Sequence, residues 1–189
     1  MHSVWKTSIR FTLVTALLLG LGYPLLVTGI AGVLFPYQAS GSLIKLNDGA
    51  VIGSELLAQS FTSDRYFHPR PSTAGNGYDA TASGGSNLAQ SNKALITRIQ
   101  SSVDALAKEN PGKPVPIDLV TTSASGLDPD ITPDAADFQV PRVAKARNLS
   151  PESVRQLIQQ HTTPRQLGLL GEPRVNVLEL NRALDKIGK

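Results

Sequence analysis

Residues able to do chemistry are few in this chain and widely spaced. There are three histidines, His2, His68 and His161, and no cysteine, so disulfides, thiolate nucleophiles and Cys-ligated zinc are excluded. His68 precedes a proline in a long polar stretch. His161 continues the face of Val154, Leu157 and Ile158 into a helical last turn, where an imidazole suits the helix dipole. Neither belongs to a G-x-S-x-G elbow or an H-E-x-x-H pair. A dispersed Ser-His-Asp triad is the one nucleophilic arrangement left open, and no catalytic residue is assigned. The densest set of hard oxygen donors is Asp128, Asp130, Asp134 and Asp137 in LDPDITPDAAD. The stretch lacks the central Gly and terminal Glu of a calcium loop, and Asp134 is explained by a helix start, so no metal site is assigned. Asp128 and Asp130 stand as an acidic loop able to raise the local cation concentration, an effect that fades over about 8–10 Å. Ser83, Gly84, Gly85, Ser86 and Asn87 form a Gly-rich segment just ahead of a predicted helix. Unpaired N–H groups at a helix N-terminus favour anions, but the Lys-Ser/Thr pair of a phosphate-binding loop is missing, and a tight turn with a helix cap fits as well.

Several elements must position these groups. Ser42–Leu46 and Ala50–Ile52 read as short strands around Asn47-Asp48-Gly49, a strong hairpin signal. Ser54–Phe61 reads as a short helix capped by Ser54. Next comes FTSDRYFHPRPSTAGNGYDATASGGSN, 27 aperiodic residues, and so long a loop tends to be functional. Leu88, Leu95, Ile96, Ile99, Val103 and Leu106 follow the helical period over Leu88–Leu106, with Asn110-Pro111-Gly112 as the stop. Val115–Val120 reads as a strand. Thr132-Pro133-Asp134 and Ser150-Pro151-Glu152 are helix starts, with Pro141 expected to kink the first of the two helices. Asn176 and Glu179 resemble a capping box before the stripe Val177, Leu180, Leu184 and Ile187. The class is α+β: one N-terminal transmembrane helix, then a helix-rich domain with a short β-hairpin or sheet.

The transmembrane assignment rests on Phe11–Ile44, 34 residues without a charge. Within it, residues 11–35 at about 1.5 Å rise cross a hydrocarbon core of about 30 Å, and the run is too long for a signal peptide. Lys6 and Arg10 precede it with no acidic residue beside them. The positive-inside rule puts residues 1–10 in the cytoplasm and residues 36–189 outside. Thr12, Ala16, Gly20, Pro24, Thr28 and Gly32 recur every four residues, a ridge that lets another helix approach closely. On a straight α-helix such a ridge winds, so about three members fit one crossing. Sixteen of the 18 basic and all 15 acidic residues follow the span, scattered and nearly balanced. Aromatics are 5%, so nucleic-acid binding is not expected.

Phrases along the chain then resemble one family. They include Tyr23-Pro24-Leu25, Gly41-Ser42-Leu43-Ile44, Tyr66-Phe67-His68-Pro69-Arg70-Pro71-Ser72 and Ser83-Gly84-Gly85-Ser86-Asn87-Leu88. Further on come Asp118-Leu119-Val120-Thr121, Ser125-Gly126-Leu127-Asp128, Gln139-Val140-Pro141-Arg142-Val143 and Gly171-Glu172-Pro173-Arg174-Val175-Asn176-Val177. In this order they resemble the C subunits of the Kdp potassium-transporting ATPase; Asp130 and Arg182 depart from the family's usual His and apolar residue. The resemblance implies a bacterial inner-membrane complex that moves potassium. Its expected partners are a potassium-channel-like subunit, a P-type ATPase subunit that hydrolyses ATP, and a small stabilising peptide. This chain would be a non-catalytic accessory subunit, needed for assembly and described as a catalytic chaperone that raises ATP affinity. Ser83–Asn87 are then the implied nucleotide contact, and no covalently bound cofactor is expected. A membrane-anchored periplasmic binding module is the alternative of another class.

Overall fold

The structure is a computed structural model and describes residues 2–46 and 48–187. It divides into two compact units, Met1–Ser54 and Glu55–Lys189.

The apolar N-terminal run forms one continuous helical rod: α1 (His2–Leu17), a π-helical turn (Leu18–Gly22) and α2 (Tyr23–Leu34). Ser3–Leu34 is long and apolar enough to cross a membrane, its most apolar stretch of 18 residues reaching a mean hydropathy of 2.0. The wide turn ends where Pro24 enters. Proline has no N–H for the carbonyl of Gly20, and its ring would crowd that carbonyl. The chain widens instead: Tyr23 N–H bonds the carbonyl of Leu18, five residues back. This changes the small-residue ridge. Five steps of four residues would drift about 200° around a straight α-helix. A π turn acts as one inserted residue and sets the ridge back by about 100°, so its six members keep roughly to one side of the rod. The expectation of about three usable members is corrected accordingly. A short helix α3 (Pro36–Ala39) leads to the hairpin of β1 (Leu43–Lys45) and β2 (Val51–Ser54), which pair antiparallel. The expected turn is present at Asp48 and Gly49, where Asp48 Oδ1 accepts the N–H of Ala50 at 2.9 Å; Asn47 lies outside the described residues.

In the second unit, a long stretch without regular elements precedes α4 (Lys93–Glu109). The helix begins five residues later than its apolar period suggests, because Asn92 is the cap and its Oδ1 accepts the Ala94 N–H. Two further readings are corrected. Ser54–Phe61 forms no helix: Ser54 is the last residue of β2, paired with Leu43, and its hydroxyl donates to the carbonyl of Gly41 at 2.7 Å. Val115–Val120 holds a single 3-10 turn (Ile117–Leu119) in place of a strand, since Pro114 and Pro116 bring no N–H to a ladder. The remaining elements are β3 (Asp130–Ile131), α5 (Pro133–Arg147), α6 (Pro151–Gln160), β4 (Thr162–Thr163), β5 (Arg174–Asn176) and α7 (Val177–Ile187). Both expected starts carry working caps, Thr132 Oγ1 accepting from Ala135 N–H and Ser150 Oγ from Ser153 N–H. Helix α5 runs unbroken through Pro141 and ends on Asn148, which takes the left-handed region at φ 54°.

The three short strands form an antiparallel sheet in the order β3-β5-β4, and Val175 pairs with both Ile131 and Thr162. Over this sheet α5 packs on α6 and α6 on α7. Their apolar faces bury Phe138, Val140, Val143, Val154, Leu157, Val175, Leu180 and Leu184. Ile187, expected to extend the α7 stripe, is exposed.

Candidate functional site

The segment Tyr66–Ser72 is the part of the long loop that enters the core. The Phe67 ring is fully buried, so its backbone has no water and must find partners inside the protein. Asn181 on α7 supplies both: its Oδ1 accepts the Phe67 N–H at 2.8 Å and its Nδ2 donates to the Phe67 carbonyl at 2.9 Å. Gln139 on α5 does the same for the next residue, accepting from His68 N–H at 2.8 Å and donating to the His68 carbonyl at 3.1 Å. Two buried side-chain amides thus imitate a strand partner for Phe67-His68. Arginines close the flanks. Arg142 donates to the carbonyls of Asp64 and Tyr66, both at 3.0 Å, and to Gln139 Oε1 at 2.7 Å. Arg147 lies over the Tyr66 ring and pairs with Asp185 at 2.8 Å, an acceptor that the Tyr66 hydroxyl shares. None of these long-range partners is marked by a local sequence pattern.

Among the described residues the His68 ring has no hydrogen bond to a serine hydroxyl or a carboxylate. Its Nε2 lies 3.1 Å from the Ser63 carbonyl and 3.4 Å from Arg142. Burial first, then the Arg142 guanidinium, pull its pKa below the ordinary 6.5. The unfolded chain therefore takes a proton at higher pH than the folded one. Stability from neutral His68 is full above about 6.5 and is lost as pH falls from there through the folded pKa. Thermal unfolding of the detergent-solubilised chain should show a falling midpoint between about pH 7.5 and about pH 5.5, the imidazole range, and His68→Gln should flatten that fall. An equal slope in the variant would exclude His68 as its source. Asp130 works in the opposite sense and at lower pH, since burial raises its carboxyl above 3.8 despite the pull of Arg174.

The remainder of the loop is tied to residues 121–128. Arg70 bridges to Asp128 at 3.0 Å and reaches the Thr122 carbonyl at 3.3 Å. The Ser72 hydroxyl donates to the Gly126 carbonyl at 2.6 Å and accepts from the N–H groups of Ala74 and Tyr78. Ser83 Oγ and Gly84 N–H both donate to the Ser125 carbonyl, at 3.0 and 2.8 Å, and Thr73 Oγ1 donates to the Gly84 carbonyl. Gly85 packs so closely that a Cβ there would lie 3.0 Å from the Ala124 carbonyl oxygen. Ser83–Asn87 therefore form a strap on Ser123–Gly126, six residues short of the first residue of α4. They do not form the turn at a helix N-terminus that the spacing suggests, and Asn87 itself sits at φ 51°. A shallow cleft of about 530 Å³ is lined by Leu56, Arg70, Ser123, Ser125 and Asp128, with no residue of the strap in its lining.

Both carboxylates of the acidic loop face an arginine. Asp128 has Arg70, and its other oxygen accepts the Asp130 N–H; Asp130 has Arg174 at 2.9 Å. Asp137 pairs with Arg155 at 2.8 Å, and Asp134 occupies the first turn of α5. Among the described residues no three His, Asp or Glu side chains converge as a metal site would require. His161 caps the C-terminus of α6, its N–H bonding the carbonyls of Leu157 and Ile158. In the first unit, Cβ atoms built at Gly20 and Gly32 meet nothing within 4 Å, so the ridge presents open backbone there.

Comparison with known proteins agrees with this architecture. Residues 5–186 match the family described as "K+-transporting ATPase, c chain". A "Potassium-transporting ATPase KdpC subunit" of Acidobacterium capsulatum is 58% identical, covering 96% of this chain and 97% of its own length. Proteins of the same name from Koribacter versatilis and Rhodopseudomonas palustris are 56% and 58% identical, over 95% of this chain and 92% and 96% of theirs. A match running from the apolar N-terminal helix to the last helix leaves one conclusion: the chain belongs to the family of c chains of the K+-transporting ATPases.

Proposed function

We propose that the chain is a non-catalytic accessory subunit of an ATP-driven potassium uptake complex of the bacterial inner membrane. The observation that carries this reading is the family match over residues 5–186, which includes the anchor as well as the C-terminal unit. In this reading the Ser3–Leu34 helix is a single span, with Lys6 and Arg10 keeping the N-terminus cytoplasmic and residues after 35 periplasmic. Its partners are a potassium-channel-like subunit, a P-type subunit that hydrolyses ATP, and a small stabilising peptide. Potassium is the cargo.

The chemistry of the C-terminal unit supports an accessory role. The polar groups described above are spent on internal ties: amides on backbone, arginines on carbonyls and carboxylates, hydroxyls on turns. We read Asp128 and Asp130 as halves of ion pairs that fix the 121–130 loop, because Arg70 and Arg174 cancel the charge a cation would feel. We read Ser83–Asn87 as a structural strap. A phosphate would have to displace the Gly84–Ser125 bond and would find no lysine in the segment. An effect of this subunit on ATP affinity then reaches the P-type subunit as a coupling between distant sites, transmitted through the anchor and its neighbours.

The ridge on the anchor tests the assembly role. Gly20→Leu or Ala16→Leu should block close backbone approach and weaken co-purification of the other subunits in mild detergent by about tenfold, or about 1–2 kcal/mol. Leu26→Ile, on the opposite side, should leave it unchanged. Equal recovery of partners with all three variants would remove the ridge from the interface, and failure of the unaltered chain to bring down any subunit would remove the accessory reading.

A further inference from the structure

The π turn at Leu18–Gly22 leaves the backbone ladder of the N-terminal helix short of a donor. A helical carbonyl takes an N–H four residues on, or five in a π turn. For Leu19 and Gly20 the positions in reach are Tyr23, Pro24 and Leu25. Tyr23 N–H goes to the carbonyl of Leu18, Pro24 has no N–H, and Leu25 brings one N–H for two carbonyls. At least one of the two is therefore without a backbone partner. No hydroxyl of the chain fills the gap. A helical Ser or Thr reaches the carbonyl three or four residues back, and for these carbonyls those positions hold Gly22, Tyr23 and Pro24. The hydroxyl of Thr15, on the preceding turn, is bonded to the carbonyls of Phe11 and Thr12. The gap is also open from outside, because Gly20 has no side chain and a Cβ built there meets nothing within 4 Å. It lies between Gly20 and Pro24, two members of the small-residue ridge.

We propose that the Leu19 and Gly20 carbonyls form an acceptor site for an uncharged hydrogen-bond donor, a hydroxyl or a side-chain amide, on a membrane-spanning helix of another subunit of the transporter. The inference rests on the accessory-subunit reading. In that reading residue 23 is the middle of the apolar run 11–35. Gly20 lies about 5 Å from it along the axis, at about 1.5 Å per residue, well inside a half-core of about 15 Å. Lipid tails carry no donor at that depth, so lipid leaves the carbonyl at its full desolvation cost. The chemistry thus selects a protein neighbour over lipid. A lysine or arginine would itself be desolvated near the middle of the membrane, a cost that one carbonyl does not offset. A water molecule needs two or more polar partners, and the side chains around the gap are Leu18, Leu19, Leu21 and Leu25. A Ser, Thr, Asn or Gln on a helix brought close by the ridge meets both requirements, a donor and no charge.

The test is solid-state NMR of the full chain in lipid bilayers, with isotope-labelled carbonyls at Leu19 and Gly20, first alone and then assembled with its partner subunits. On assembly one of the two resonances should move to the hydrogen-bonded position and show a through-space contact to a hydroxyl or amide proton of another subunit. Pro24→Ala supplies the missing N–H. Its two carbonyls should therefore sit at the bonded position in the isolated chain and move no further on assembly. Its association with the partners should fall about threefold to tenfold, the range of a single interhelical hydrogen bond in lipid. The variant also rewinds the ridge, so this loss counts only together with the carbonyl shift in the unaltered chain. Unmoved resonances in an assembled complex, a contact to water or lipid alone, or undiminished association of Pro24→Ala overturns the proposal and leaves the accessory reading in place. Failure of the unaltered chain to assemble with any subunit removes the accessory reading itself, and this site with it.

Discussion

Asn181→Leu should destabilise the C-terminal unit by about 3–5 kcal/mol, although the two side chains have nearly the same shape. The size follows from what is left behind. Asn181 is 2% exposed and satisfies both the N–H and the carbonyl of Phe67, whose ring is fully buried. Leucine can satisfy neither, and each orphaned buried group costs about 1–3 kcal/mol. Against a typical total stability of about 5–15 kcal/mol, the loss would show as a large drop in the denaturant midpoint. Gln100→Leu is the matched control. Gln100 donates only to Asp104 one turn away on the exposed face of α4, a contact worth about 0.2–0.5 kcal/mol. Loss of less than about 1 kcal/mol in Asn181→Leu would mean that water or another partner reaches Phe67, and that the clamp is not what holds the segment. Loss of Tyr66–Ser72 from the core should also release the loop that follows it, so the variant should expose Arg65 and Arg70 to protease.

The sequence makes the skeleton of this fold legible wherever the signal is local. Thr132-Pro133-Asp134 and Ser150-Pro151-Glu152 carry their own caps, so α5 and α6 begin where the residues say. The uncharged run of 34 residues reveals the long apolar helix without any partner. Misreadings arise where a distant group takes over a local one. Ser54 has the right side chain for a helix cap, but pairing with Leu43 holds it in β2. Ser86 and Asn87 look like the start of α4, yet the bond from Gly84 to Ser125, 41 residues on, pulls the segment down as a strap and leaves capping to Asn92. The amide clamps join residues 114 and 71 positions apart, and no period or motif encodes such a pairing. Among candidate site residues, the carboxylates of Asp128 and Asp130 are visible as a cluster, but the arginines that face them are not. Pro24 is intermediate: the sequence announces a disturbance, and the backbone chooses a π turn that brings the small residues back toward one side.

Gly126→Ala should be the most damaging single methyl group in the 121–128 loop, costing about 2–5 kcal/mol. Two terms add. Gly126 sits at φ 67°, where a side chain costs about 1–2 kcal/mol. A Cβ would also lie 2.6 Å from the Gly84 carbonyl oxygen, 2.8 Å from the Ala74 nitrogen and 3.0 Å from the Ala74 Cβ. Two of these atoms are backbone, so no rotamer change relieves the contact, and overpacking of this kind costs about 1–3 kcal/mol. The chain's escape is to lift the Ser83–Asn87 strap off Ser125, breaking the Gly84 and Ser83 bonds. The same geometry ranks its neighbours. Gly85→Ala should have an intermediate effect, since its Cβ would meet the Ala124 and Ser123 carbonyl oxygens at 3.0 and 3.3 Å. Gly84→Ala should fall within about 0.5 kcal/mol of the unaltered chain, because nothing lies within 4 Å of its Cβ. Denaturant midpoints give the order, and hydrogen exchange at the Gly84 amide reports the strap directly: fast in Gly126→Ala, protected in Gly84→Ala. If the segment served instead as a glycine cradle that must admit a phosphate, the order would be different. Gly84→Ala would then leave stability alone and still lower the ATP affinity of the assembled complex, while the strap amide stayed protected. Equal and small effects of all three substitutions on stability, with no change in exchange at Gly84, would show that the strap does not depend on the close approach of residues 84–85 and 123–126.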